Sequence, residues 1–459
     1  MIHRYQKKGL NFVLDVNSGA VHLLDDISYA VSGLLDENME DTCPQSIVEA
    51  LPQYTAEDVR ESYDELYELK KAGQLFAQDD YIDVSRYIPV NAPVKALCLH
   101  VAHDCNLRCK YCFASTGDFG QGRKIMPPEI AKKAIDFVIA RSGVRHNIEV
   151  DFFGGEPLMA WDTVTQTVDY ARSLEEKYNK KFRFTITTNG LLLDADKRKY
   201  INENMDNCVL SLDGRREVND EFRKTVAGTG SYDTIVPKFK ALVDERDPNL
   251  DYYARGTFTS HNLDFAEDVL SIADAGFDRL SVEPVTADPG CGYDLTEADL
   301  PKIEAEYDRL TDIMLERKKE GKPFTFFHFM VDLDQGPCVV KRLRGCGAGY
   351  EYVAVTPDGD IYPCHQFVGK EEFKQGSVLD QSFNMDIAQK FAGMNIYSRP
   401  KCQKCWAKFY CSGGCSAANY NMNHDMNDSY DLGCEMERKR LECAIYLKAV
   451  DKICANQSK

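Results

Sequence analysis

Seventeen cysteines in a chain of 459 residues constrain the fold most, because they are not scattered. Three fall within one eight-residue stretch, at Cys105, Cys109 and Cys112, and five lie between Cys402 and Cys434. Residues 1–10 are polar and basic, without the apolar segment of a secretory signal. The most apolar runs, such as 94–101, are far shorter than a bilayer span. A cytoplasmic protein with no membrane partner is expected. Disulfides are disfavoured in that compartment, so clustered cysteines point to metal or catalytic roles. A net charge of -18 argues against nucleic-acid partners, which demand clustered Lys and Arg.

The rest of the chain reads as roughly two to four domains. Residues 1–85 form a small module. Apolar runs at 11–16 and 20–25 flank Asn17-Ser18-Gly19, a hairpin signal. Helical patterns follow at 26–35 and 56–72, with Thr55 as N-cap of the second. This outline is winged-helix-like, and its sheet edge could accept a peptide strand. A plain packing or dimerisation module is the alternative. Residues 86–94, with Pro89 and Pro93, suit a linker.

From 95 to 290, strands and helices alternate. Strands are predicted at 95–101, 147–153, 183–187, 208–212, 253–259 and 279–282. Helices are predicted at 127–140, 161–178, 195–204, 232–243 and 263–275. The fold class is therefore α/β, a partial (β/α)6 barrel with right-handed crossovers. Its chemistry belongs at the C-terminal ends of the strands. Residues 291–336 form a bridge with a long charged helix. Residues 337–459 are cysteine-rich and loop-rich, then helical from 435. Such a segment needs a metal centre for cohesion.

Cys105-Asn106-Leu107-Arg108-Cys109-Lys110-Tyr111-Cys112 follows the first barrel strand. Three thiolates can ligate three irons of a cubane cluster, leaving the fourth iron open to a small chelating molecule. Structural zinc sites use four closed ligands, commonly in C-x2-C pairs, and fit this loop poorly.

The loop, with an aromatic residue before its last cysteine, resembles that of the radical S-adenosylmethionine superfamily. Gly154-Gly155-Glu156-Pro157 at the end of the second barrel strand resembles that family's GGEP motif. In the family, the methionyl amino and carboxylate groups chelate the open iron. One electron from the cluster then releases a 5′-deoxyadenosyl radical. The resemblance implies that Gly154, Gly155 and Glu156 serve the methionyl amino group. It also implies that Asn189 of Thr187-Thr188-Asn189-Gly190 and Ser211 of Ser211-Leu212-Asp213-Gly214 line the adenosyl site. Otherwise these two segments are simple β-turns. Arg223 or Arg255 would hold the methionyl carboxylate or form a surface ion pair.

Cys346, Cys364, Cys402, Cys405, Cys411, Cys415 and Cys434, with Gly359 five residues before Cys364, are very similar to the seven-cysteine pattern of SPASM domains. The resemblance implies three [4Fe-4S] clusters in all. Cys402, Cys405, Cys411 and Cys434 would close one auxiliary cluster, and Cys346, Cys364 and Cys415 would hold the other. Cys338 is one source of its fourth ligand; a substrate thiolate on an open iron is the other. Cys43, Cys98, Cys208, Cys291, Cys443 and Cys454 carry no motif and are expected as small buried hydrophobes. An auxiliary cluster would accept the electron left after hydrogen abstraction. A flavodoxin- or ferredoxin-type donor would supply the first electron.

SPASM enzymes often modify peptides. One branch oxidises Ser or Cys of sulfatases to formylglycine, with an Asp base after the Gly-x4-Cys cysteine. Here that position is His365, which can act as a base near neutral pH. Residues 1–85 resemble the recognition element of enzymes that mature ribosomally made peptides. The stretches 1–5 and 13–22 look especially like the thioether-forming maturases of "six cysteines in forty-five" (SCIFF) peptides. That resemblance implies a Cys-rich precursor peptide docked by its leader on the hairpin edge. A substrate Cys thiolate, at the iron near Cys346, Cys364 and Cys415, would then bond the Cα of an acceptor residue, Thr in that family. The other readings are a formylglycine maturase and, outside enzymes, a zinc-bound peptide-binding scaffold.

Overall fold

The computed structural model describes residues 1–83, 92–333 and 339–457. Most of the expected linker and Cys338 lie outside these residues. The chain divides into two compact units, one of 1–88, 331–345 and 394–459, the other of 89–330 and 346–393.

The first unit opens with a three-stranded antiparallel sheet of β1 (Ile2–Lys7), β2 (Leu10–Asp15) and β3 (Val21–Leu24), in that order. The predicted hairpin is the β2–β3 pair, with Asn11 opposite Leu24 and Leu14 opposite Val21. Strand β1 is additional to the sequence reading. His3, Arg4 and Gln6 mask its alternation, yet all six residues pair with β2. The tight turn between them is carried by Lys8 and Gly9 at φ 51° and 78°, as a two-residue hairpin loop requires. Helices Asp26–Ser32, Gln45–Ala50 and Ala56–Lys71 follow. Thr55 caps the last, its hydroxyl accepting from Asp58 N at 3.2 Å. Val13, Val31, Val59, Tyr63 and Leu66 form the buried core of this module.

Within the same unit, β1 packs on the C-terminal helix Asp431–Gln457. His3 Nε2 lies 2.9 Å from Glu442 Oε1, and the Tyr5 hydroxyl donates to Glu442 O at 3.3 Å. The His3 ring stacks on Trp406 with centroids 3.7 Å apart.

In the second unit, six parallel strands stand side by side in chain order: β4 (Ala96–His103), β6 (Asn147–Gly154), β7 (Lys181–Thr188), β8 (Asn207–Ser211), β9 (Asp251–Phe258) and β10 (Arg279–Pro284). Helices Pro128–Arg141, Trp161–Tyr178, Ala195–Asn204, Arg216–Phe222, Tyr232–Asp244 and Phe265–Asp274 connect them. This is the expected partial α/β barrel. Along β6, Ile148, Val150 and Phe152 are fully buried. Glu149, Asp151 and Phe153 occupy the opposite face, as strand alternation requires.

Short β5 (Lys124–Ile125) pairs with the end of β4, and β11 (Thr325–Phe326) extends the sheet beyond β10. At the other edge, β12 (Tyr352–Val355) runs parallel to β4 and leads to antiparallel β13 (Asp360–Tyr362) and β14 (Gly376–Ser377). The cysteine-rich segment around Cys364 is thus hydrogen-bonded into the barrel sheet. The bridging helix is Leu300–Lys319, whose Tyr307 ring packs edge-on against Phe265.

No helix among the described residues is long and apolar enough to cross a membrane. Cys43, Cys98, Cys208 and Cys443 are buried as expected, whereas Cys291 and Cys454 are exposed. Cys291 lies in a Gly-rich loop, and Cys454 lies in the last turns of a terminal helix, so neither is covered by core.

Candidate active site

Cys105, Cys109 and Cys112 occupy the loop that leaves the C-terminal end of β4. Backbone pairing with 222–225 holds this loop: Arg108 N donates to Lys224 O at 2.7 Å, and Lys110 N to Phe222 O at 3.0 Å. All three cysteines line one cavity of about 290 Å³. Burial, then the Glu156 carboxylate, pushes the Cys105 thiol up to about 12. Burial raises Cys109 to about 12 against the lowering pull of Arg223. Thiolates at this place need a compensating metal, and ligation releases protons. Among the described residues, no group of three His, Cys, Asp or Glu side chains is arranged to hold a single metal ion. Cubane ligands each take a different iron, so three thiols set around one cavity fit a cluster better than one zinc ion.

The GGEP segment ends β6 against this loop. Gly155 N donates to Ala102 O at 2.7 Å and Glu156 N to Asp104 O at 2.9 Å. A Cβ on Gly155 would fall 2.1 Å from Asp104 O, so only glycine permits this approach. Glu156 is 1% exposed and fully engaged. Its Oε1 accepts from Leu158 N at 3.0 Å and Thr188 Oγ1 at 2.7 Å, and its Oε2 from Asn189 N at 2.7 Å. Burial raises its pKa to about 7, against the lowering effect of these bonds. The carboxylate therefore acts first on the end of β7. It fixes Asn189, whose Nδ2 donates to Asn106 Oδ1 at 2.8 Å and lies 3.6 Å from Cys105 Sγ.

Ser211, at the end of β8, lines the same cavity. The two arginines differ. Arg255, on β9, is half-exposed and pairs with Glu283 on β10. Arg223 has a side chain only 11% exposed, and its Nε lies 3.0 Å from Oδ2 of fully buried Asp213. The Tyr111 hydroxyl donates to that same oxygen at 2.6 Å. Burial opposes the Arg223 charge, but Asp213, Tyr111 and Cys109 outweigh it and hold the guanidinium above its ordinary value. Sequence reasoning assigned no role to Asp213, because Asp213-Gly214 reads equally well as a turn.

His365, after Cys364, faces the cavity from beyond β13. Its ring packs against Phe113 and Phe153 at 5.5 Å and 5.1 Å. Its Nδ1 lies 3.4 Å from the Tyr352 hydroxyl. Burial, with Arg255 nearby, lowers its pKa to about 4, so the ring is neutral at physiological pH but a weaker base than the sequence suggests.

The later cysteines divide between the units. Cys402, Cys405, Cys411 and Cys434 belong to the first. Burial, then the Glu437 carboxylate, with smaller contributions from nearby Cys434, Cys402 and Cys405, raises Cys411 to about 12. Cys346 and Cys364 belong to the second unit and Cys415 to the first.

Residues 99–251 match the Radical SAM superfamily model, and residues 346–406 match SPASM, an iron–sulfur cluster-binding domain. The chain is 24% identical over 354 residues to a cysteine-type anaerobic sulfatase-maturating enzyme of Clostridium novyi, covering 72% of this chain and 90% of that one. It is 28% identical over 343 residues to the mycofactocin maturase MftC of Mycobacterium ulcerans, covering 72% and 85%. In fold it is similar to native anSMEcpe with bound AdoMet and Kp18Cys peptide, with 20% identity, a TM-score of 0.63, and coverage of 78% of this chain and 99% of that chain. It is also similar to Streptococcus suis SuiB bound to precursor peptide SuiA, with 16% identity, a TM-score of 0.52, and coverage of 93% and 97%.

Proposed function

We infer that this chain, an enzyme of radical SAM and SPASM architecture, oxidises a cysteine-containing peptide. The observation that carries this reading is one cavity shared by Cys105, Cys109, Cys112, the GGEP turn, Asn189, Ser211 and His365. Bound there, an iron–sulfur cluster and S-adenosylmethionine would supply a 5′-deoxyadenosyl radical for hydrogen abstraction. Gly154 and Gly155 let the end of β6 close on Ala102 O and Asp104 O, which sets the backbone that would meet the methionyl end. Asn189 and Ser211 face the adenosyl group, with Asn189 held by Glu156. Arg255, Glu283 and His365 line the same cavity, and the neutral His365 ring is placed to meet the peptide there rather than to serve as a strong base.

The peptide partner is supported by the SuiB likeness, which reaches 93% of this chain where the anSMEcpe likeness stops at 78%. The strand edge of the 1–83 module is the proposed dock for a leader segment. A flavodoxin- or ferredoxin-type protein is the proposed electron donor. Cys402, Cys405, Cys411 and Cys434, all in one compact unit, are the proposed ligands of one further cluster, and Cys346 and Cys364, in the other unit, are proposed ligands of another.

Two products fit. The sulfatase-maturating relatives favour formylglycine, and this reading has the stronger support. The second is a thioether, supported by the N-terminal module and by His365 in place of that branch's Asp. Both are two-electron oxidations of the peptide, which would lose one hydrogen atom, one proton and one electron, with bound S-adenosylmethionine and an iron–sulfur cluster as the hydrogen-atom and electron acceptors. In the first, a thioaldehyde takes up water and releases sulfide. In the second, sulfur bonds to carbon. Anaerobic incubation with peptide, S-adenosylmethionine and reductant, followed by tandem mass spectrometry, separates them. An aldehyde at the former cysteine supports the first. Loss of two hydrogens with one fewer free thiol supports the second. Deoxyadenosine formation with an unchanged peptide rules out both for the peptide tested.

A further inference from the structure

Asp213 sits under the cysteine loop as a buried anion with three engagements. Its Oδ2 accepts from the Tyr111 hydroxyl at 2.6 Å and lies 3.0 Å from Arg223 Nε. Its Oδ1 accepts from Thr257 N at 3.0 Å. The side chain is 0% exposed. Each partner belongs to a different part of the site. Tyr111 lies between Cys109 and Cys112, and Thr257 is on cavity-lining β9. Arg223 lies in the 222–225 segment that pairs with the loop backbone. The Arg223 guanidinium also lies 5.5 Å from the Tyr111 ring centroid. Arg223 meets Asp213 as a buried ion pair rather than through a well-aligned Nε hydrogen bond, and its charge pulls the Cys109 thiol down against burial.

We propose that Asp213 and Arg223 are a positioning pair for the cluster held by Cys105, Cys109 and Cys112. They fix Tyr111, and through opposite charges they set the potential of that cluster. The inference rests on those three cysteines being cluster ligands. A buried charge acts through a low effective dielectric, so removing one member leaves the other uncompensated beside the cluster. Reduction adds negative charge to the cluster. Loss of Asp213 therefore favours reduction and loss of Arg223 opposes it. A plain packing role predicts no such opposition of sign.

The test is an EPR-monitored redox titration of the full-length, cluster-loaded enzyme. The relevant cluster is identified by the change of its signal on adding S-adenosylmethionine. Asp213→Asn is expected to raise the midpoint, Arg223→Gln to lower it, and the charge-neutral double variant to return close to wild type. A tenfold change in the reduced-to-oxidised ratio corresponds to 59 mV for one electron. Shifts of the same sign, or none, overturn the proposal. Should a single variant fail to hold its cluster, Arg223→Lys and Tyr111→Phe remain. Both keep the charges and are expected to leave the midpoint in place, and a shift in either overturns the proposal. Absence of any S-adenosylmethionine-responsive signal in the wild type would instead sink the ligand assignment.

Discussion

At the residue scale, Glu156 and Gly155 show how a short motif becomes geometry. The sequence marks both, but only the structure shows that the Glu156 carboxylate is spent on Leu158, Thr188 and Asn189. Glu156→Gln gives up part of this acceptor capacity and is expected to weaken S-adenosylmethionine binding about tenfold, roughly one charge-assisted bond. Equilibrium dialysis under anaerobic conditions measures it. Gly155→Ala would press a methyl group on Asp104 O, and is expected to lower the iron bound per chain by displacing the loop.

Asp151 gives a pH prediction. Burial, with Glu149 adding to it, raises its pKa to about 6, against a lowering bond from Thr185. A carboxyl group raised in the folded state is easier to ionise when unfolded. Its effect is a loss of stability as pH rises from about 4 to about 6, reaching roughly 3 kcal/mol. Urea unfolding of wild type and Asp151→Asn across this range checks it, and the variant is expected to lack that part of the slope. Asp213 was not legible in the sequence. Asp-Gly is turn chemistry wherever it occurs, and its bonds to Tyr111 and Thr257 span 102 and 44 positions.

At the scale of elements, the parallel strands were legible because their apolar runs are bounded by turns and joined by helices of strong period. Boundaries moved by a residue or two, as frayed ends do. Strand β1 was hidden because its polar side chains find partners on a helix more than 400 positions away. His3 both stacks on Trp406 and meets Glu442. His3→Ala is expected to cost about 1–2 kcal/mol. The chain has two tryptophans, so unfolding followed by Trp406 fluorescence in a Trp161→Phe background reads this contact. An unchanged midpoint would mean that the stack contributes little.

At the scale of the whole molecule, domain types were legible in chain order but their grouping was not. The N-terminal module and residues 394–459 share one compact unit, since the contacts that join them lie at opposite ends of the chain. The Cys402, Cys405, Cys411 and Cys434 group therefore belongs to the same unit as the proposed leader dock. Cys402→Ser is expected to lower iron by about four of the roughly twelve atoms that three cubane clusters contain, measured by anaerobic metal analysis. A high zinc content with little iron would favour a binding scaffold instead.

Hydrogen leaving a peptide for a deoxyadenosyl group is the central step, and isotope transfer tests it directly. A cysteine-containing peptide deuterated at the cysteine Cβ and at the Cα of its other residues is incubated with enzyme, S-adenosylmethionine and reductant. Recovery of one deuterium in 5′-deoxyadenosine, with matching loss from the peptide, is the predicted result. Turnover to deoxyadenosine carrying only solvent or adenosyl hydrogen, with every deuterium still on the peptide, would contradict it.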